Sequence, residues 1–265
     1  MGNLIRAEFY RIRCQRWGFY GLTGSVLGGV VLLTLLCAFP PQSGDAALLF
    51  QTIEYSAIVG MVLAVPCADL ASARVDGRQV LLKNEAVFGI PRWQMVLSRL
   101  SSATLIGCTM ALMLVVSSVL LAFLFLPGKE ALPQLAANLL VEFLVALPLW
   151  VACASLYLCL KLLFASDLVA VFVLFLYQFL LWPILWAWSL LNPNAWVMKL
   201  LCTLHLMTPF WDKGVDITET NLGLSVSVKN GFIMPSSLYC WALGLGWIMF
   251  TTVVSVWALR RRELR

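Results

Sequence analysis

The stretch Trp93-Gln-Met-Val-Leu-Ser-Arg-Leu-Ser-Ser-Ala-Thr-Leu-Ile-Gly-Cys-Thr-Met-Ala-Leu-Met-Leu-Val-Val-Ser-Ser-Val-Leu-Leu-Ala-Phe-Leu-Phe125 decides the fold. Its single charge, Arg99, stands near one end, and the rest exceeds the ~20 apolar residues that cross ~30 Å of hydrocarbon. The run is longer than a crossing needs, so its start reads as an interfacial helix. A soluble domain of 265 residues cannot hide such runs when 62% of its residues are hydrophobic and only 12% charged. Outward from it, five further apolar stretches read as spans: about 17–39, 53–73, 135–160, 168–190 and 236–259. Within them, Pro148 is placed to kink the fourth and Pro183 lies late in the fifth. The second is the weakest of the six, because only Tyr55–Ala68 is free of charge.

Charge placement supports six crossings. Counting six, Arg6, Arg11, Arg13, Arg16, Arg74, Arg78, Lys83, Arg92, Arg99, Lys161, Arg260, Arg261, Arg262 and Arg265 fall on one side. Only Lys129, Lys199, Lys213 and Lys229 fall on the other. Positive residues stay inside, so both termini are expected in the cytoplasm. Without the second span the Arg-rich ends would face opposite sides. The segment before span one could be taken for a signal peptide, but 17–39 is too long for one. The net charge of +5 gathers at membrane edges and so reads as topology, with no nucleic-acid partner expected. The fold class expected is an all-α integral membrane protein forming a single domain over residues 1–265.

Three polar parts remain. In the N-terminal strip, Ile5, Phe9 and Ile12 share a helical face flanked by Arg6, Arg11 and Arg13. This pattern suits an interfacial helix with basic residues toward lipid phosphates, or a basic run that merely orients span one. Between spans two and three, Asp76-Gly77 suits a turn and Gln79–Phe88 a short helix ended by Gly89, with Pro91 opening the next element. That helix offers Val80, Leu81, Val87 and Phe88 on one side and Arg78, Lys83, Asn84 and Glu85 on the other. A loop that only joined two spans would be shorter, so it reads as a docking element, against the plainer reading of a solvated basic loop. The third part, about 191–235, carries Trp196, Trp211 and several charges on the outer side.

Inside the spans, carboxylates draw attention because an unpaired one is costly in lipid. Glu142 lies about two turns into span four, one turn after Asn138, and the pair is expected to face a bundle interior, a subunit contact or a polar path. Asp69 is within reach of Arg74, and Glu54 lies at the outer interface. The eight cysteines are scattered, and His205 is the single histidine, so no metal site is expected. Cys37 and Cys202 lie near the outer face and could pair, although spacing does not establish it. No phosphate-binding Gly-x-x-x-x-Gly-Lys-Ser/Thr loop occurs, nor any hydrolase or metalloprotease signature, so an enzyme is not expected and any work must come from another subunit. An intramembrane enzyme would have only Glu142 and His205, on different elements.

The order of basic amphipathic strip, two spans, the Asp-Gly-Arg-Gln…Leu-Lys-Asn…Gly-Ile-Pro-Arg loop and the Leu-Arg-Arg-Arg-Glu-Leu terminus resembles the type-2 ABC exporter permeases. The branch it is most similar to is the small permeases of bacteriocin and lantibiotic self-protection. The resemblance implies a coupling helix carrying Arg78, Lys83, Asn84, Glu85 and Phe88, followed by a Gly-x-x-Arg element at Gly89 and Arg92. Asp76-Gly77-Arg78 departs from the family, where Glu and Gly-Thr are frequent. It implies re-entrant helices between spans five and six, which the residues alone leave open against an ordinary outer loop. It implies partners as well: a cytoplasmic ATPase dimer holding ATP and Mg, and a second six-span permease, identical or a sibling. The expected activity is expulsion of an antimicrobial peptide across a bacterial cytoplasmic membrane. A non-transporting scaffold or sensor, or an exporter of another amphipathic or lipid-like substrate, is the alternative.

Overall fold

The computed structural model describes residues 16–38, 46–55, 57–72, 91–127, 129–164, 166–191, 196–211, 215–220, 223–228 and 237–262, together with Arg6 and Tyr10. The helices are α1 (Arg16–Ala38), α2 (Ala46–Tyr55), α3 (Ala57–Ser72), α4 (Arg92–Phe125), α5 (Leu132–Leu163) and α6 (Asp167–Phe175). A π-helical turn, Leu176–Leu181, follows. Then come α7 (Trp182–Leu191), α8 (Trp196–Thr203), α9 (Thr208–Trp211) and α10 (Ser237–Arg262). Five helices are long and apolar enough to cross a membrane: 17–38, 92–125, 132–163, 167–188 and 237–260. The protein is therefore a multi-pass helical membrane protein.

The helix ends follow local chemistry. Pro91 precedes α4 in extended conformation, φ −64° and ψ 136°, because its ring fixes φ and its missing N–H is needed by no earlier turn. Pro133 plays the same part in the first turn of α5. The π turn ends next to Pro183, which has no N–H to donate one turn back and whose ring crowds that turn, so the helix widens before it. Pro148, expected as a kink, lies inside α5, which continues as α-helix through it.

Contacts fix the direction of each rod. Gly244 of α10 approaches Pro148 of α5, and Thr251 donates to Ser155 Oγ at 2.8 Å, so the two helices run the same way. Cys153 lies against the Met61 carbonyl at 3.4 Å and Lys161 against Asp69, so α3 also runs with α5. The N–H of Ala46, opening α2, donates to the Pro127 carbonyl at 3.2 Å, beside the start of α5. Helices α2 and α3 together thus run between the same two ends as α5. The second apolar stretch begins earlier than the expected residue 53, because Leu49, Phe50 and Ile53 pack into the cluster that holds Cys37, Leu126 and Leu139. Meanwhile Gly18 of α1 lies against Leu70, so the start of α1 is at the Lys161 end.

Arg92, Arg99, Lys161 and Arg260 gather at this one end, here called the basic end. The core lies between α3, α4, α5, α6 and α10, around fully buried Leu149, Ala152, Cys153 and Tyr157. Outside the helical bundle, β1 (Val215–Thr220) and β2 (Gly223–Val228) form one antiparallel ribbon in register from Val215↔Val228 to Thr220↔Gly223. The alternating Val-Asp-Ile-Thr and Leu-Ser-Val-Ser-Val patterns suit strands, a period that the expectation of a purely helical chain overlooked.

Candidate functional site

At the basic end the chain buries a charge. Lys161, 6% exposed, closes the last turn of α5. Its ammonium donates to Asp69 Oδ1 and, at 2.8 Å, to Ser72 Oγ, and it lies 3.5 Å from Asp167 Oδ1. Tyr157, one turn earlier on the same face, donates to Asp69 Oδ1 at 3.1 Å, and its ring centroid lies 5.6 Å from the Lys161 nitrogen. An ammonium withdrawn from water needs compensation, and two carboxylates and a hydroxyl supply it from two other elements. The cluster thereby ties the ends of α3, α5 and α6 together. Asp69 was expected to reach Arg74, which lies outside the described residues; the structure gives it Lys161.

A second polar cluster fastens the segment between α7 and α10. His205 is buried, its ring stacked on Tyr177 of the π turn with centroids 4.4 Å apart. The N–H of Met207 donates to His205 Nδ1 at 3.2 Å, so Nδ1 is an acceptor and Nε2 carries the proton toward the Tyr177 carbonyl, 2.9 Å away. Trp182 Nε1 donates to Thr208 Oγ1 at 3.1 Å, and Trp247 Nε1 to the Leu204 carbonyl at 2.8 Å. Tyr239 donates to the Thr203 carbonyl. Through these bonds α8 and α9 fold back against the π turn and α10, with Leu206, Met207 and Phe210 entering the main core.

This latch needs a neutral imidazole. Burial pushes the His205 pKa below its ordinary value, and the hydrogen bond to the Tyr177 carbonyl pulls it part of the way back. With the folded value lowered, the unfolded chain binds more protons between the two values. Stability is then fully present above the unfolded pKa of about 6.5 and is lost as pH falls through the folded one. Acidification from about pH 7.5 to about pH 5 is expected to lower the thermal midpoint of the wild type. His205→Phe keeps a ring against Tyr177 and should flatten that slope, since the chain has no other histidine. A slope that survives the substitution would count against the latch.

Of the residues singled out in the sequence, Arg92 opens α4 and is partly buried, while Arg78, Lys83, Asn84, Glu85, Phe88 and Gly89 lie outside the described residues. Arg6 is helical and exposed; Ile5, Phe9, Ile12 and Arg13 also lie outside them. Asn138 is exposed on α5 and Glu142 partly buried, and neither lines the apolar cleft between α3, α4 and α5. Cys37 and Cys202 are free thiols, the first in the cluster around α2 and the second at the end of α8. No group of His, Cys, Asp and Glu suited to a metal ion occurs among the described residues. No protein-family model matches the chain, and no curated protein matches it either. Lys161 and the His205 latch escaped the reading of the sequence. The available signal was Tyr157 and Lys161 four residues apart on one helical face, a spacing that puts both side chains toward one neighbour.

Proposed function

We propose that the chain is the permease subunit of an ATP-driven exporter of the type-2 class, in a bacterial cytoplasmic membrane with both termini inside. The observation that carries this reading is the Lys161 cluster. It locks α3, α5 and α6 to one another at the end where α3 leads into residues 73–91 and α4 begins. A push delivered to that segment by a cytoplasmic ATPase would move three rods together and leave their apolar surfaces packed, which is what alternating access demands. The gathering of basic residues at the same end supports a cytoplasmic placement.

In this reading α2 and α3 make one crossing, which with the five long helices gives six. Helices α8 and α9 form a re-entrant hairpin from the outer side, because His205 reaches Tyr177, whose neighbour Gln178 lies 3.8 Å from Cys153, more than halfway along α5. Six crossings enclose a path poorly, so a second permease subunit is expected. ATP and Mg belong to the ATPase dimer, and Arg78, Lys83, Asn84, Glu85, Phe88, Gly89 and Arg92 are the residues proposed to meet it. A cationic antimicrobial peptide such as a lantibiotic is the substrate class, on the strength of the resemblance.

Purification of the full chain in mild detergent should bring down a nucleotide-binding subunit in fixed stoichiometry. The double charge reversal Arg78→Glu, Lys83→Glu should abolish stimulated ATP hydrolysis while insertion into the membrane is unchanged. Stimulated hydrolysis that persists in this variant would remove the docking role.

A further inference from the structure

Helices α3, α4 and α5 do not close on one another at mid-length. Between them lies a cleft of about 220 Å³. Its lining on α4 runs over residues 103–114 of a helix spanning 92–125, so the cleft sits halfway along the rod and far from both charged ends. Leu112, Leu140 and Leu144 stand at its edge and are exposed, so it opens sideways where an apolar helix meets hydrocarbon. No charged side chain lines it, and the hydroxyl of Thr104 is turned back onto the Leu100 carbonyl at 2.8 Å.

The cleft is built, with a firm back wall. Trp150 stands edge-on to Phe143, ring centroids 5.2 Å apart, and presses so closely on Gly60 that a Cβ there would lie 2.3 Å from the indole. A Cβ on Gly107, by contrast, would meet nothing within 4 Å. The space beside Gly107 is therefore open, and the wall opposite is fixed.

We propose that this cleft holds an acyl chain of a bilayer phospholipid. Size and chemistry select that occupant. One turn of a helix with its side chains fills roughly 400 Å³, so a helix from a second copy does not fit. An extended peptide would bring backbone N–H and C=O groups to a lining that offers them no partner. Water is excluded for the same reason, since apolar cavities of about 150 Å³ stay dry and take up apolar guests. A hydrocarbon tail asks for no hydrogen bond, is flexible, and reaches the cleft laterally from the bilayer. What holds it is dispersion contact with walls that would otherwise face a void, because lipid is as apolar as the cleft itself. The assignment stands apart from the exporter reading and holds whether or not an ATPase drives the chain.

The full chain would be reconstituted in vesicles of phosphatidylethanolamine and phosphatidylglycerol containing a trace of phosphatidylcholine with a photoactivatable group in its acyl tail. After illumination, labelled peptides are quantified by mass spectrometry. Labelling should be several-fold higher on 103–114 and 140–154 than on the exposed face of α10 at Met249 and Val253, which also meets lipid. Gly107→Leu, filling the open space, should bring the cleft down to the α10 level, with Gly107→Ala between. Equal labelling of both faces in the wild type would overturn the proposal, and that comparison stands even if Gly107→Leu does not fold. Unchanged labelling in a folded Gly107→Leu protein would overturn it as well. So would cross-linking of two copies through Cys108 at the cleft mouth with little lipid label.

Discussion

Replacing Gly244 by alanine is expected to destabilise the protein by about 2–3 kcal/mol, and by valine further, because the added carbon has nowhere to go. A Cβ at this position would lie 2.7 Å from the carbonyl carbon, the Cβ and the oxygen of Pro148. Two of those three atoms are backbone, so no rotamer change relieves the clash and the two helices must separate. The separation spreads, since α10 and α5 run alongside each other from this crossing to the Thr251–Ser155 hydrogen bond and share the core around Cys240 and Leu243. In a bilayer, helices associate through close packing, which small residues permit. Gly246, two residues on, supplies the comparison: a Cβ there meets nothing within 4 Å. Gly246→Ala should be neutral or stabilising by up to about 1 kcal/mol through helix propensity. Thermal unfolding of both variants in mild detergent decides the matter. Equal behaviour of the two would mean that Gly244 does not set the spacing.

The spans were legible because each is a long apolar run bounded by charge or proline. The expected 93–125 and the observed Arg92–Phe125 differ by one residue, with Pro91 and Pro127 marking both ends. The second stretch was misplaced at its start because Ala46–Tyr55 mixes Gln51 and Glu54 with apolar residues. Its helical state is held by burial of Leu49, Phe50 and Ile53 against α4 and α5, a tertiary effect that hydropathy does not register. The π turn has a local cause in Pro183, yet the consequence, a carbonyl at Tyr177 that receives His205, joins residues 28 apart. Lys161 looked like an ordinary boundary charge, for its partner Asp69 is 92 residues away. The cleft was half visible: Ala103, Gly107 and Ala111 repeat at a spacing of four and mark a thin helical face, but whether a neighbour closes on that face depends on Trp150, which Gly60 alone admits.

Removing the cation at the basic end should do more than any substitution of its partners. Lys161→Met keeps the length of the side chain and deletes the charge, leaving Asp69 and Asp167 near each other with Tyr157 and Ser72 as neutral neighbours. Breaking a buried ion pair from one side costs about 3–5 kcal/mol. Asp69 is 48% exposed and Asp167 31%, so water recovers part of that, and a loss of about 2–3 kcal/mol is expected. Asp69→Asn leaves Lys161 with Asp167 and Ser72 and should cost about half as much. The double variant Asp69→Leu, Lys161→Met removes both charges of the closest pair and should be more stable than Lys161→Met alone, giving a coupling of about 1–3 kcal/mol in a double-mutant cycle. Additive losses would mean that the two side chains are neighbours without being partners. The cycle carries a second readout under the exporter reading. If the cluster merely stiffens the bundle, the double variant should regain stimulated ATP hydrolysis along with stability. If it transmits the push from residues 73–91 to α5 and α6, stability returns and stimulation does not, because an apolar contact at the helix ends slides where an ion pair holds.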